Sequence, residues 1–255
     1  MSISKFRRVS VLRLLAIGVA ASTVCVTSIG IAQAATTKKV TATTTKKVTT
    51  TTTKTKTSST FKAEVWADNW FAMSVNGKKV GEDSVPITTE RSFNSETFTF
   101  TATYPLTIAI EAKDYKETES GIEYIGQGKQ QMGDGGMIAQ ITDTSTGKVV
   151  AVTNTNWKAL VIHRAPLNPT CEKDADPNTT CQFTSVEAPT NWTSASFDDS
   201  KWTKATVWSA DVVGPKDGYN KVSWNRLAKL VWGADLEIDN TVLLRLTVAG
   251  STAVK

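Results

Sequence analysis

The chain predicts an all-β fold, an antiparallel β-sandwich, and three observations carry that expectation. Polar and apolar residues alternate through ETFTFTATYPLTIAIEAKDY, over Phe98 and Phe100 and then over Leu106, Ile108 and Ile110. Asn76-Gly77 divides the apolar stretches of FKAEVWADNWFAMSVNGKKVG, a strong signal for a tight hairpin. No long stretch with helical apolar periodicity occurs beyond residues 1–34.

Residues 1–34 read as a secretory signal. Lys5, Arg7, Arg8 and Arg13 form a basic start, LLAIGVAASTVCV an apolar run, and Ala32-Gln33-Ala34 a small-residue cleavage pattern. A retained membrane anchor is the competing reading, but Ser, Thr and Gly dilute the apolar stretch. The expectation is therefore a secreted or cell-surface protein with no transmembrane segment once the signal is cleaved. Residues 35–60, ATTKKVTATTTKKVTTTTTKTKTSST, hold almost no bulky apolar side chain. Such a tract buries too little surface to offset the entropy of ordering and predicts a disordered tether.

Charge follows this division. The whole chain carries 29 basic and 24 acidic residues, a net +5. Residues 1–60 hold ten of the basic residues and none of the acids, so the remainder carries 19 basic against 24 acidic groups, a net −5. A nucleic-acid binder carries its positive face on the folded body, and this body is acidic, which argues against nucleic acid as the partner.

Residues 61–255 are long enough for a single sandwich domain. Its strands are expected on both sides of Asp68-Asn69, in the two runs separated by Pro105, in GGMIAQITDTSTGKVVAVTN with its turn at DTSTGK, in TKATVW and in NTVLLRLTV. Cys171 and Cys181 bracket the polar segment EKDADPNTT, and an even pair in an exported chain predicts a local disulfide. Two cysteines and the single His163 make a poor zinc site.

The segment NWTSASFDDSKWTKATVW, with Trp192, Phe197, Asp198, Asp199, Ser200 and Trp202, resembles a motif of galactose-binding-like jelly-roll domains. Such modules accompany the catalytic barrels of family 2 glycoside hydrolases and α-rhamnosidases. ADNWFAMSVNGKKVG and KLVWGADLEIDNTVLLRLTV are similar to their early hairpin and closing segment. The resemblance implies a jelly roll used for carbohydrate or surface recognition, without catalysis, since no barrel-sized segment follows. Asp198 and Asp199 themselves read as turn residues whose carboxylates accept from neighbouring backbone N–H groups. Adjacent carboxylates do not face one substrate as a general acid/base pair does.

The candidate binding loop is EAKDYKETESGIEYIGQGKQQMGDGGM, residues 111–137. Gln127, Gln130 and Gln131 offer donors and acceptors suited to sugar hydroxyls, Tyr124 a ring for stacking, and Asp134 a turn or a cation ligand. A solvated Ω-loop is the alternative. All eight tryptophans lie in the body; Trp66 and Trp70 are expected in the core, and Trp224 as an exposed platform. Oxygen donors for a structural calcium are plentiful at Asp68, Asn69, Glu82, Asp83, Glu90, Asp114, Asp134 and Asp239, but no calcium-loop motif joins them. His163 has no G-x-S-x-G or comparable nucleophile context. The leading expectation is a non-catalytic module that binds carbohydrate or a cell-surface glycan. A structural or adhesive envelope protein comes second, and a glycan-acting hydrolase third.

Overall fold

The computed structural model describes residues 57–88 and 94–255. The predicted signal, the tether up to residue 56, and Glu90 lie outside the described residues. The first strands are β1 (Ser59–Asp68), β2 (Trp70–Val75), β3 (Lys78–Glu82), β4 (Ser95–Ala102) and β5 (Leu106–Lys113). Next come β6 (Ile122–Glu123), β7 (Gln131–Met132), β8 (Gly136–Asp143), β9 (Lys148–Val152) and β10 (Lys158–Arg164). The last are β11 (Thr184–Ser185), β12 (Thr203–Lys204), β13 (Thr206–Trp208), β14 (Leu230–Trp232) and β15 (Asp239–Val248). No helix among the described residues is long and apolar enough to cross a membrane.

Two antiparallel sheets pack face to face as a sandwich. One runs β13-β14-β8-β1-β4, with β9 also on β8; the other runs β11-β10-β15-β5-β2-β3, with β12 also on β10. The alternation read from the sequence sets the core. Phe61, Ala63 and Val65 of β1 sit level with Ile141 and Ala139 of β8 and with Phe100 and Phe98 of β4. Facing them, Phe71, Met73 and Val75 of β2 pair with Ala112, Ile110 and Ile108 of β5, which pair in turn with Val242, Leu244 and Leu246 of β15. Each large apolar side chain withdrawn from water here contributes about 1.5–3 kcal/mol.

Turns and crossings obey local chemistry. Asn76 and Gly77 both take positive φ, 53° and 82°, and close the two-residue β2–β3 hairpin between Val75 and Lys78. Asp143 accepts from Ser145 N at 3.0 Å and turns the β8–β9 hairpin. The chain passes from one sheet to the other at Asn69 and again at Ala205, between β12 and β13.

Trp66 lies on the opposite face of β1 from the core residues. It is fully buried there because Tyr219 packs edge-on to it and its Nε1 donates to the Asp217 carbonyl. Trp70, expected in the core, is half-buried instead, with the Lys113 ammonium 5.1 Å above its ring.

The FDDS segment has a fold role. Arg245 projects from the outer face of β15 and is only 2% exposed. Its Nε donates to Asp199 Oδ2 at 2.9 Å, Nη2 to the Ser194 carbonyl at 3.2 Å, and Nη1 to the Trp192 carbonyl, while its guanidinium carbon stands 5.2 Å from the Phe197 ring centre. Phe197 and Trp192 both meet Trp202. Asp198 accepts from Ser200 N at 2.9 Å, the expected turn bond. Asp199→Ala leaves a buried guanidinium short of its counter-charge and is expected to cost about 2–4 kcal/mol in chemical denaturation, whereas Asp198→Ala costs far less.

Candidate functional site

The 111–137 loop folds onto the disulfide rather than outward. Cys171 and Cys181 are bonded, as expected, and bury Ile122 with Ile125 and Met132 against them. Tyr124 is 7% exposed, its ring covered by the Lys129 ammonium at 3.4 Å, so it offers no open stacking face. Gln130 is a clamp: its Nε2 donates to the carbonyls of Glu172 (2.6 Å) and Asp174 (3.0 Å), and its Oε1 accepts from Gly126 N at 2.7 Å. Gln131 donates to Glu123 at 3.0 Å, and Gln127 is exposed. Trp224 is half-buried against Tyr219, its Nε1 donating to the Tyr219 carbonyl at 3.0 Å, which corrects the expectation of a free platform. The predicted ligand residues therefore do not converge: Gln130 and Gln131 serve the loop itself, and Trp224 belongs to another face.

An open groove lies on the outer face of the seven-stranded sheet beyond the segment held by Arg245, lined in part by Glu111, Lys113, Asp114, Lys116 and Glu119 from the start of the same 111–137 segment. It encloses about 320 Å³. Glu111 and Lys113 of β5, Thr241 of β15, His163 of β10 and Ser185 of β11 line it, with Lys116 and Glu119 at the rim. Strand pleating explains the set, since Lys113 pairs with Thr241 across β5 and β15. The alternation IAIEAK that exposes Glu111 and Lys113 was the signal available for it. Its charged side chains are paired, Lys113 with Glu111 at 3.1 Å and Lys116 with Glu119 at 2.5 Å. The hydrogen bond from Lys116 holds the Glu119 carboxyl below its ordinary pKa. Phe183, 48% exposed, stacks beside His163.

His163, a lining residue of this groove, is 4% exposed. Asn240 donates its amide to Asp114 Oδ2 at 3.5 Å, so its Oδ1 faces His163 Nδ1 at 2.9 Å and requires the proton there. His163 Nε2, also buried, stands 3.0 Å from Glu119 Oε2. Burial, reinforced by Lys116, holds the His163 pKa below its usual value despite Glu119.

Asp114, a lining residue of the groove, also belongs to a cluster of acidic side chains. Asp68 ends β1, Asp114 follows β5, Glu123 lies in β6 and Asp134 precedes β8. Asp68 Oδ1 and Oδ2 and Asp114 Oδ1 are buried without a hydrogen-bond partner. Lys216 Nζ stands 3.7 Å from Asp68 and 3.4 Å from Asp134. Burial, then repulsion by Asp134, pushes the Asp68 pKa up; burial, then Asp68, does the same to Asp114. Of the other oxygen donors read from the sequence, Asp239 is engaged by Arg164 and Asp235 N, Asn69 by Tyr115 N, and Glu82 by Lys79. The grouping of Asp68 with Asp114 and Asp134 joins distant segments and carries no spacing signature.

No protein-family model, curated protein or solved structure matches the chain.

Asp83 lines a hollow beside the groove with Trp70 and Ile87, and burial raises its pKa to about 6. The folded state thus binds this proton more tightly than the unfolded state. The resulting stability is complete below about pH 4 and is lost as pH rises through about 6. Asp83→Asn, which keeps an acceptor for Val85 N, is expected to stabilise by about 1–2 kcal/mol at pH 8, after allowing for solvent screening, and to show no gain at pH 4 in thermal melts.

Proposed function

We propose that this chain is an exported, non-catalytic binding module that presents the groove on its seven-stranded sheet to carbohydrate, on a free or cell-surface glycan. The observation that carries the reading is one open groove lined by the charged side chains of Glu111, Lys113, Lys116 and Glu119 together with Thr241 and His163. Sugar hydroxyls are both donors and acceptors, and such a lining offers each hydroxyl a complement. Exposed Phe183 supplies an apolar face at one side. The basic–apolar–small start of the chain and the bonded cysteine pair support export. The resemblance of the Trp192–Trp202 segment to galactose-binding-like jelly rolls supports the same class.

A second reading, an adhesive or structural envelope protein, is favoured by one observation. Leu167, Phe183 and Val186 are exposed at 40%, 48% and 58% around the short strand β11, a surface suited to protein contact.

Glycan-array binding, followed by calorimetry on any hit, separates the two. Glu111→Ala and Lys113→Ala are each expected to weaken glycan binding at least about tenfold, the loss of one charge-assisted hydrogen bond. Gln127→Ala and Trp224→Phe are expected to leave it unchanged. Absence of binding to every glycan, with and without calcium, contradicts the carbohydrate reading and favours the adhesive one.

A further inference from the structure

Independently of the groove and its ligand, we infer that Lys216 and Asp68 are the partners of an intramolecular isopeptide bond, which ties the loop carrying Lys216 to the end of β1. The fold holds that loop in place on both sides of the lysine. Before it, Val213 is buried beside Gly136, where an added Cβ would fall 2.7 Å from Val213 Cγ1, and Gly136 is the β8 partner of Asp68. After it, the Asp217 carbonyl accepts from Trp66 Nε1 at 3.0 Å, and Tyr219 packs edge-on against the ring of Trp66, in the same strand as Asp68. Lys216 Nζ is thereby placed 3.7 Å from Asp68 Oδ2 and 3.4 Å from Asp134 Oδ1.

The carboxyl sets this pair apart. Asp68 is 0% exposed, and neither of its side-chain oxygens accepts a hydrogen bond. In the other lysine–carboxylate pairs among the described residues, the carboxylate side chain keeps at least 14% exposure. Burial, then repulsion by Asp134, favours the neutral acid at Asp68. A neutral carboxylic acid is open to attack by an amine, whereas a carboxylate repels the nucleophile. Buried polar groups are almost always paired, and an amide at this position removes the buried acid altogether.

The step balances without a co-reactant. Asp134 takes one proton from the Lys216 ammonium, and the resulting neutral Nζ attacks Cγ of the Asp68 acid. The C–N bond forms and the C–OH bond breaks. The hydroxyl leaves as water on the proton that Asp134 returns, and the amide nitrogen sheds its remaining extra proton to solvent. Ammonium and carboxylic acid thus become an amide, one water and one proton, with no change of oxidation state. Asp134 suits the proton transfer because its side chain is 43% exposed, so water and proton leave on its side while the new bond stays buried with Asp68.

The test is the intact mass of the full chain, folded, incubated at neutral pH, then denatured and reduced, followed by peptide mapping. The expected mass is one water below that of the sequence, with a branched peptide joining the Asp68 segment to the Lys216 segment. Lys216→Arg, which keeps the positive charge and the fold, should show the full mass and no branched peptide. Asp134→Asn should slow the loss of water about a hundredfold, the usual worth of a positioned general acid–base group, and an unchanged rate would overturn the proton route. A full sequence mass in the native chain after prolonged incubation, with no branched peptide, overturns the inference and leaves Lys216 and Asp68 as an ion pair. Loss of water that persists in Lys216→Arg overturns it as well, because the dehydration then lies elsewhere in the chain. None of these readouts involves the Glu111 and Lys113 groove.

Discussion

Arg245 stands on the outward face of β15, an interior strand of the larger sheet, and is withdrawn almost wholly from water. A guanidinium in that position needs its five N–H donors used and its charge met. Asp199 supplies the charge, and the carbonyls of Trp192 and Ser194 take further donors. The segment that provides them is thereby drawn across the sheet, with Phe197 and Trp202 packed together. Its reach decides what remains open. On the covered side Leu243 and Ala109 are fully buried on an outward face that would otherwise meet solvent. On the other side the same strands leave Glu111 and Lys113 half-exposed in the groove, with buried Thr241 between them and β10.

The groove and the acidic cluster are joined by polar contacts. His163 reaches Asn240, and Asn240 reaches Asp114. Asp114 is both a lining residue of the groove and a member of the cluster that also contains Asp68.

Local chemistry was legible in the sequence and long-range convergence was not. Asn76-Gly77 could announce its hairpin because positive φ at both positions is a property of two adjacent residues. The alternation over Phe98–Ile110 could announce the core because strand pleating has a fixed period. The cysteine pair was readable for the same reason, being ten residues apart in a polar segment. Asp198-Asp199 read correctly as a turn, but the purpose of Asp199 depends on Arg245, 46 residues further on. Tyr124 and Gln130 looked available because their segment is polar. They turn inward because Ile122 packs on the disulfide and the carbonyls of Glu172 and Asp174 need donors. Asp68 and Asp114 meet only because the chain crosses between sheets at Asn69 and brings the ends of β1 and β5 together.

In the proposed function, ligand recognition belongs to the outer face of the seven-stranded sheet and not to the 111–137 loop tip. Backbone amide chemical shifts, followed while a glycan identified by array is titrated in, test it most directly. The account predicts that shifts concentrate at Glu111, Lys113, His163, Ser185 and Thr241. Shifts concentrated instead at Gly126–Gln131, with the groove strands unmoved, would contradict it.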